Sequence, residues 1–172
     1  RQLAELEDKP YSDFPGSLQT ASITEVRPFQ GHTRFVTGIA YFGDGRRAAS
    51  VSNDSMLTIW DVQTRTPLQE IDTDHSLSAL AISPDETIAA IAIEAKDCPI
   101  ELRDLRSGKL IRTLRGHPDG RAVKLAFTPN GKRLVSSGYD HFVRVWDIDN
   151  RREERSFNVP VSSNPNITSL SP

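Results

Sequence analysis

Short alternations of apolar and polar residues, broken at regular intervals by turn residues, run through most of the chain. The stretches "FVTGIAY", "LSALAIS" and "AVKLAFT" carry the two-residue period of a half-buried strand. Each is followed by a turn, "GDG", "PDE" or "PNG", and the glycines of the first and third tolerate positive φ. A second run follows, "RAASVS", "IAAIAIE" or "RLVSSG", and then a tighter turn holding Asp54, Asp97 or Asp140. The third run is "LTIWD", "IELRD" or "VRVWD", and "PLQEI", "KLIRTL" and "EERSFNV" supply a fourth. The pattern predicts an all-β chain built from four-stranded antiparallel units at about 33–73, 76–115 and 118–159. Residues 1–23 lack this period. There "LAELEDK" suggests a helical turn or two and "KPYSDFPGS" reads as linker.

The units are copies of one another. Trp60, Arg103 and Trp146 are each 43 residues apart, and His32, His75 and His117 recur at nearly the same interval. Gly31-His32 with Trp60-Asp61, and Gly116-His117 with Trp146-Asp147, are two full copies of one signature. The middle copy is degenerate, with Asp74-His75 and Arg103-Asp104 in those places.

On these residues the chain resembles the WD40-repeat family over about 24–172. The resemblance implies blades of a β-propeller, here a partial one of about three blades. Residues 24–30 would be the outer strand of a preceding blade and 166–172 the start of a further one. It also implies a hydrogen-bonded tetrad in each blade: His32, Ser50, Asp54 and Trp60 in the first, His117, Ser136, Asp140 and Trp146 in the third. A buried indole N–H needs an acceptor, which gives the Trp–Ser pair its physical reason. In the middle copy the Trp and Ser positions fall at Arg103 and Ile93, so donor and acceptor are missing together. His75 and Asp97 remain as a degenerate pair.

Composition changes this picture little. Of the 172 residues 37% are apolar and 26% charged, the net charge is −2, and no apolar run is long enough for a membrane helix. Cys98 is the single cysteine, which excludes an internal disulfide and leans towards a reducing, cytoplasmic setting. Acidic residues dominate up to Leu102 and basic ones from Arg103 to Arg155. The basic residues are scattered among apolar ones, so nucleic acid is the less favoured partner.

Catalysis is not expected. Ser, His and Asp recur at one repeat period, whereas a triad needs a single site with an exposed nucleophile and an oxyanion hole. Three of the four histidines sit at repeat positions and none has H-E-x-x-H spacing, so neither a metal nor a cofactor is expected. His141 stands outside the signature. Asn53 and Asn166 match the glycosylation acceptor pattern.

What the resemblance implies is a non-catalytic scaffold that binds protein or peptide partners through the propeller face. Arg34, Phe35, Asn53, Lys96, Tyr139 and His141 are the candidate contacts: Arg34 and Phe35 sit where the entry loop meets the first strand, Asn53, Lys96 and Tyr139 each precede the turn aspartate that opens onto that face, and His141 follows Asp140. Three blades do not close a ring. The remaining blades are therefore expected from a longer chain, with self-association as the alternative. A sensor or regulatory module fused to an effector domain is the second functional reading, and nucleic-acid binding the third.

Overall fold

The computed structural model describes residues 29–118, 120–150 and 152–159. Among these there is no helix, and twelve strands form three four-stranded sheets. Blade 1 holds β1 (Val36–Tyr41), β2 (Arg47–Ser52), β3 (Met56–Asp61) and β4 (Thr66–Asp72). Blade 2 holds β5 (Leu77–Ile82), β6 (Ile88–Ile93), β7 (Ile100–Asp104) and β8 (Leu110–Leu114). Blade 3 holds β9 (Ala122–Phe127), β10 (Arg133–Gly138), β11 (Phe142–Asp147) and β12 (Arg152–Asn158). Each sheet is an antiparallel meander in chain order, so β1, β5 and β9 are edge strands. The expected linker at 1–23, residues 24–28 and the segment 166–172 lie outside the described residues. Phe29 and Gln30, the described end of the 24–30 segment, are in no strand, and the Phe29 ring meets Trp60 edge-on at 5.4 Å.

The blades pack face to face, with the inner strands β1, β5 and β9 side by side. Alternation sends every second side chain of a strand to one neighbour and the rest to the other. The first interface gathers Ala49, Val51, Leu57, Ile59, Leu77, Leu80 and Ile91. The second gathers Ala79, Ala90, Ala92, Ile100, Leu102, Leu134 and Trp146. Two hydroxyls repeat one device across these interfaces: Thr37 donates to the Leu77 carbonyl at 2.7 Å, and Ser78 to the Ala122 carbonyl at 2.8 Å. Blade 1 keeps its other face open. Ile39 is 68% and Tyr41 66% exposed there, beside a cavity of about 360 Å³ that reaches His32, Ser50 and Trp60.

The strand registers correct one sequence-based alignment. Ala48 pairs with Trp60 and Ser50 with Thr58, while Ala89 pairs with Arg103 and Ile91 with Glu101. The residue of blade 2 equivalent to Ser50 is therefore Ile91, not Ile93. The β6–β7 turn is two residues longer than its counterparts in blades 1 and 3, which shifts the count.

Candidate functional site

The structure brings His32, Ser50, Asp54 and Trp60 together. The Trp60 indole donates to Ser50 Oγ at 2.8 Å, Ser50 Oγ lies 2.7 Å from His32 Nε2, and His32 Nδ1 lies 3.0 Å from Asp54. The backbone amides of Thr33 and Met56 also donate to Asp54. Burial pushes the Asp54 pKa up, but these donors, with Ser52 and His32, outweigh it and hold the carboxyl below its ordinary range. The network ties the loop leading into the blade to the turn between its second and third strands.

The same three side-chain contacts recur in blade 3. Trp146 donates to Ser136 Oγ at 2.9 Å, Ser136 Oγ lies 2.8 Å from His117 Nε2, and His117 Nδ1 lies 2.9 Å from Asp140. A fifth member, missed in the sequence, is Arg144, whose Nη1 donates to Asp140 Oδ2 at 2.6 Å. Arg144 is buried, and strand alternation puts it on the same face of β11 as Trp146. That alternation was the available signal. The glycine before each histidine also has a packing reason. A Cβ on Gly31 or Gly116 would run into the six-membered ring of Trp60 or Trp146.

His75 and Asp97 do not come together, which corrects the expected degenerate pair. His75 is exposed, and among the described residues no hydrogen bond joins the two side chains. Only Ser76 separates His75 from β5, whereas residues 33–35 give His32 room to fold back over its turn. Pro99 also stands where Met56 and Phe142 supply an amide to their aspartates, and proline has no N–H to give. Arg103 instead donates to Glu101 at 2.8 Å and to the Gly108 carbonyl at 3.1 Å.

The surface candidates lie along one rim. The Asn53 amide donates to the Phe35 carbonyl, the Glu94 amide to the Ser76 carbonyl, and the Tyr139 amide to the Arg121 carbonyl, once per blade. Between blades, Ser76 Oγ donates to the Asn53 carbonyl at 3.0 Å and Arg121 pairs with Glu94. An unbroken chain of contacts thus runs from Phe35 to Tyr139. Phe35 is 83% and Tyr139 54% exposed, and Arg34 beside Phe35 is exposed as well. The Arg121 guanidinium lies 5.4 Å from the Tyr139 ring centre. His141, at φ 63°, is half-buried in the turn after Asp140.

Two expected contacts are placed differently. Glu94, not Lys96, holds the rim position of blade 2, and Lys96 projects from the longer turn. Asn53 is half-buried, and among the described residues its enclosed Oδ1 has no hydrogen-bond partner. Among the described residues no group of three or more His, Cys, Asp or Glu side chains is arranged to hold a metal ion.

Comparison with known proteins agrees with this architecture. The family model "WD domain, G-beta repeat" matches residues 23–61 and 108–147, the segments that end in the Trp-Asp pairs of blades 1 and 3. The transcription factor unc-37 of Caenorhabditis elegans is 32% identical over 69% of this chain and 19% of its own length. WD repeat-containing protein 36 of Homo sapiens is 25% identical over 69% of this chain and 13% of its own length. Nuclear distribution protein PAC1 of Arthroderma otae is 31% identical over 72% of this chain and 31% of its own length. The chain therefore spans less than a third of the curated relatives it matches. With two matched repeats, a degenerate one between them and three four-stranded blades, the chain belongs to the WD40-repeat family.

Proposed function

We propose that the chain is a non-catalytic scaffold that holds a protein or peptide partner against the rim carrying Arg34, Phe35, Tyr139 and His141. One observation carries this reading: the exposed aromatics Phe35 and Tyr139 are fixed to one another, across three blades, by a continuous chain of hydrogen bonds. A rigid surface that presents aromatic and arginine side chains loses little entropy on binding and fits the composition of interface hot spots. The similar proteins bear names from transcription and nuclear distribution, which supports a shared platform rather than one shared partner. The reading leaves the ionisable networks a structural role. Each tetrad hydroxyl is buried and accepts the indole N–H, so neither serine is an exposed nucleophile.

Nucleic-acid binding has less support. Arg103, Arg121, Arg133 and Arg144 are all engaged in ion pairs within the fold, which reduces the charge open to phosphates. The apolar open face of blade 1 is, in the same proposal, the seat of a further blade. The test is a double variant, Arg34→Ala with Tyr139→Ala, assayed for capture of a partner identified with the wild-type chain. Loss of capture with an unchanged melting curve supports the rim. Retained capture rejects it.

A further inference from the structure

Each blade ends outward on an open edge. Among the described residues β4, β8 and β12 pair on one side only, so each turns a row of backbone N–H and C=O groups outward. Two of these edges carry residues that discourage a further strand. β4 holds Pro67, which has no N–H to give, with Glu70 and Asp72. β12 opens with Arg152, Glu153, Glu154 and Arg155. β8 reads "LIRTL", with no proline and Arg112 as its one charge. All three outer strands have a bulge, so the bulge does not set β8 apart. Past it Arg112, Thr113 and Leu114 stay in regular register with Leu102, Glu101 and Ile100.

The same edge shows apolar surface and uncompensated charge. Leu110 is 48% and Ile111 49% exposed. Blade 2 is packed between blades 1 and 3, so no missing neighbour accounts for that exposure. Lys109 and Arg115 stand exposed at the two ends of β8, with Arg112 half-buried between them. Among the described residues none of these cations is in an ion pair. The carboxylates of β7 are committed elsewhere, Glu101 to Arg103 and Asp104 to Ser107. We propose that β8 takes an extended segment of a partner protein, alternating apolar and acidic residues, as a fifth strand of blade 2. Backbone hydrogen bonds hold the segment along the edge, its carboxylates meet Lys109, Arg112 and Arg115, and its apolar side chains cover Leu110 and Ile111. The proposal adds a second surface to the scaffold reading and does not rest on the rim.

The test titrates the full chain, by fluorescence anisotropy, with a fluorescein-labelled short peptide of alternating valine and glutamate. Its glutamine counterpart removes the charge, and its fully N-methylated counterpart keeps the charge but has no N–H to give. The glutamate peptide is expected to bind at least about tenfold more tightly than the glutamine one, and the N-methylated peptide not at all. Lys109→Glu with Arg115→Glu should abolish the preference for glutamate with the melting curve unchanged. Hydrogen exchange of the Leu110–Leu114 amides should slow when the glutamate peptide binds. Equal binding of the glutamate and glutamine peptides, no binding of either, or a preference that survives the double variant overturns the proposal. Equally tight binding of the N-methylated peptide also overturns it, because the cations would then be a patch open to any anion, a lipid surface included. The rim is judged by its own double variant, and neither result there decides the fate of the β8 edge.

Discussion

Arg144 Nη1 lies 2.6 Å from Asp140 Oδ2, inside blade 3, where blade 1 has the uncharged Thr58. The two tetrads are therefore built alike and charged differently. In blade 3 His117 Nδ1 donates to one oxygen of Asp140 and Arg144 to the other, with Ser136 donating to Nε2, a tautomer assigned from the network. Arg144 Nη1 also stands 2.8 Å from His117 Nδ1, so a positive charge presses on an imidazole with no exposed surface. Removing one partner from a buried pair leaves the other charge uncompensated. Arg144→Met is expected to cost about 3 kcal/mol, read as a lower urea midpoint. A midpoint within error of wild type would show that His117 and the Phe142 amide satisfy Asp140 without it.

The same network fixes a direction for acid stability. Burial of His117 lowers its pKa below 6.5, against the opposing pull of Asp140 and with the help of Arg144. Between pH 6.5 and the folded-state value the unfolded chain binds the proton and the native blade does not, so His117 contributes stability above pH 6.5 that is lost as the pH falls. Burial raises the Asp140 pKa, but hydrogen bonds from His117 and Arg144 bring it below 3.8, which adds a second loss as the pH falls from there. The ring resonances of His117 should keep their neutral positions below pH 6.5 in an NMR titration, and Arg144→Met should move that titration upward. A His117 midpoint at or above 6.5 would contradict the buried, Arg-flanked geometry.

The indole of Trp146 gives its only N–H to Ser136 Oγ, which in turn has His117 as its other neighbour. Trp146→Phe keeps most of the apolar packing and removes the donor. A loss of about 1–3 kcal/mol is expected for the under-satisfied hydroxyl and the space left beside it. A double-mutant cycle with Ser136→Ala separates the two effects. If the network holds as a unit, the second substitution costs much less in the Phe background than in wild type.

Much of this blade was legible because strand alternation and turn residues repeat together. Each of the three sheets could be written from the sequence, and so could the residues that meet in blades 1 and 3. The middle blade was harder. Spacing from Arg103 and His75 places the serine position at Ile93, but a turn two residues longer displaces β6 against that spacing and puts Ile91 opposite Glu101. Pro99 marked the change, since an aspartate followed two residues later by proline cannot receive the amide that Asp54 and Asp140 receive. Arg144 was passed over because a charged residue in a short strand reads as a solvated one. Its place two residues before Trp146 was the counter-signal, as both must face the same side. The rim was only half legible. Phe35 and Tyr139 stand out as residues, but the Ser76 and Glu94 contacts that join them cross between blades and have no local signature.

The corrected register makes a prediction of its own. Ile91 is fully buried in the cluster between blades 1 and 2, in the place a tetrad serine holds in the other blades. Blade 2 has exchanged a polar staple for packing: without an indole at Arg103, a hydroxyl at 91 would meet no N–H donor from that side chain, which is committed to Glu101 and the Gly108 carbonyl. Writing the repeat's serine back into this blade should therefore harm it. Ile91→Ser removes apolar volume from a closed interface and leaves a hydroxyl among Val51, Leu57 and Leu77, for an expected loss of about 3–5 kcal/mol. Ile91→Val, which deletes one methylene and adds no polar group, should cost about 1 kcal/mol. The ratio between the two, measured by urea denaturation, reports whether this position belongs to the core. Similar small losses for both would return the serine-equivalent position to Ile93 and undo the assignment.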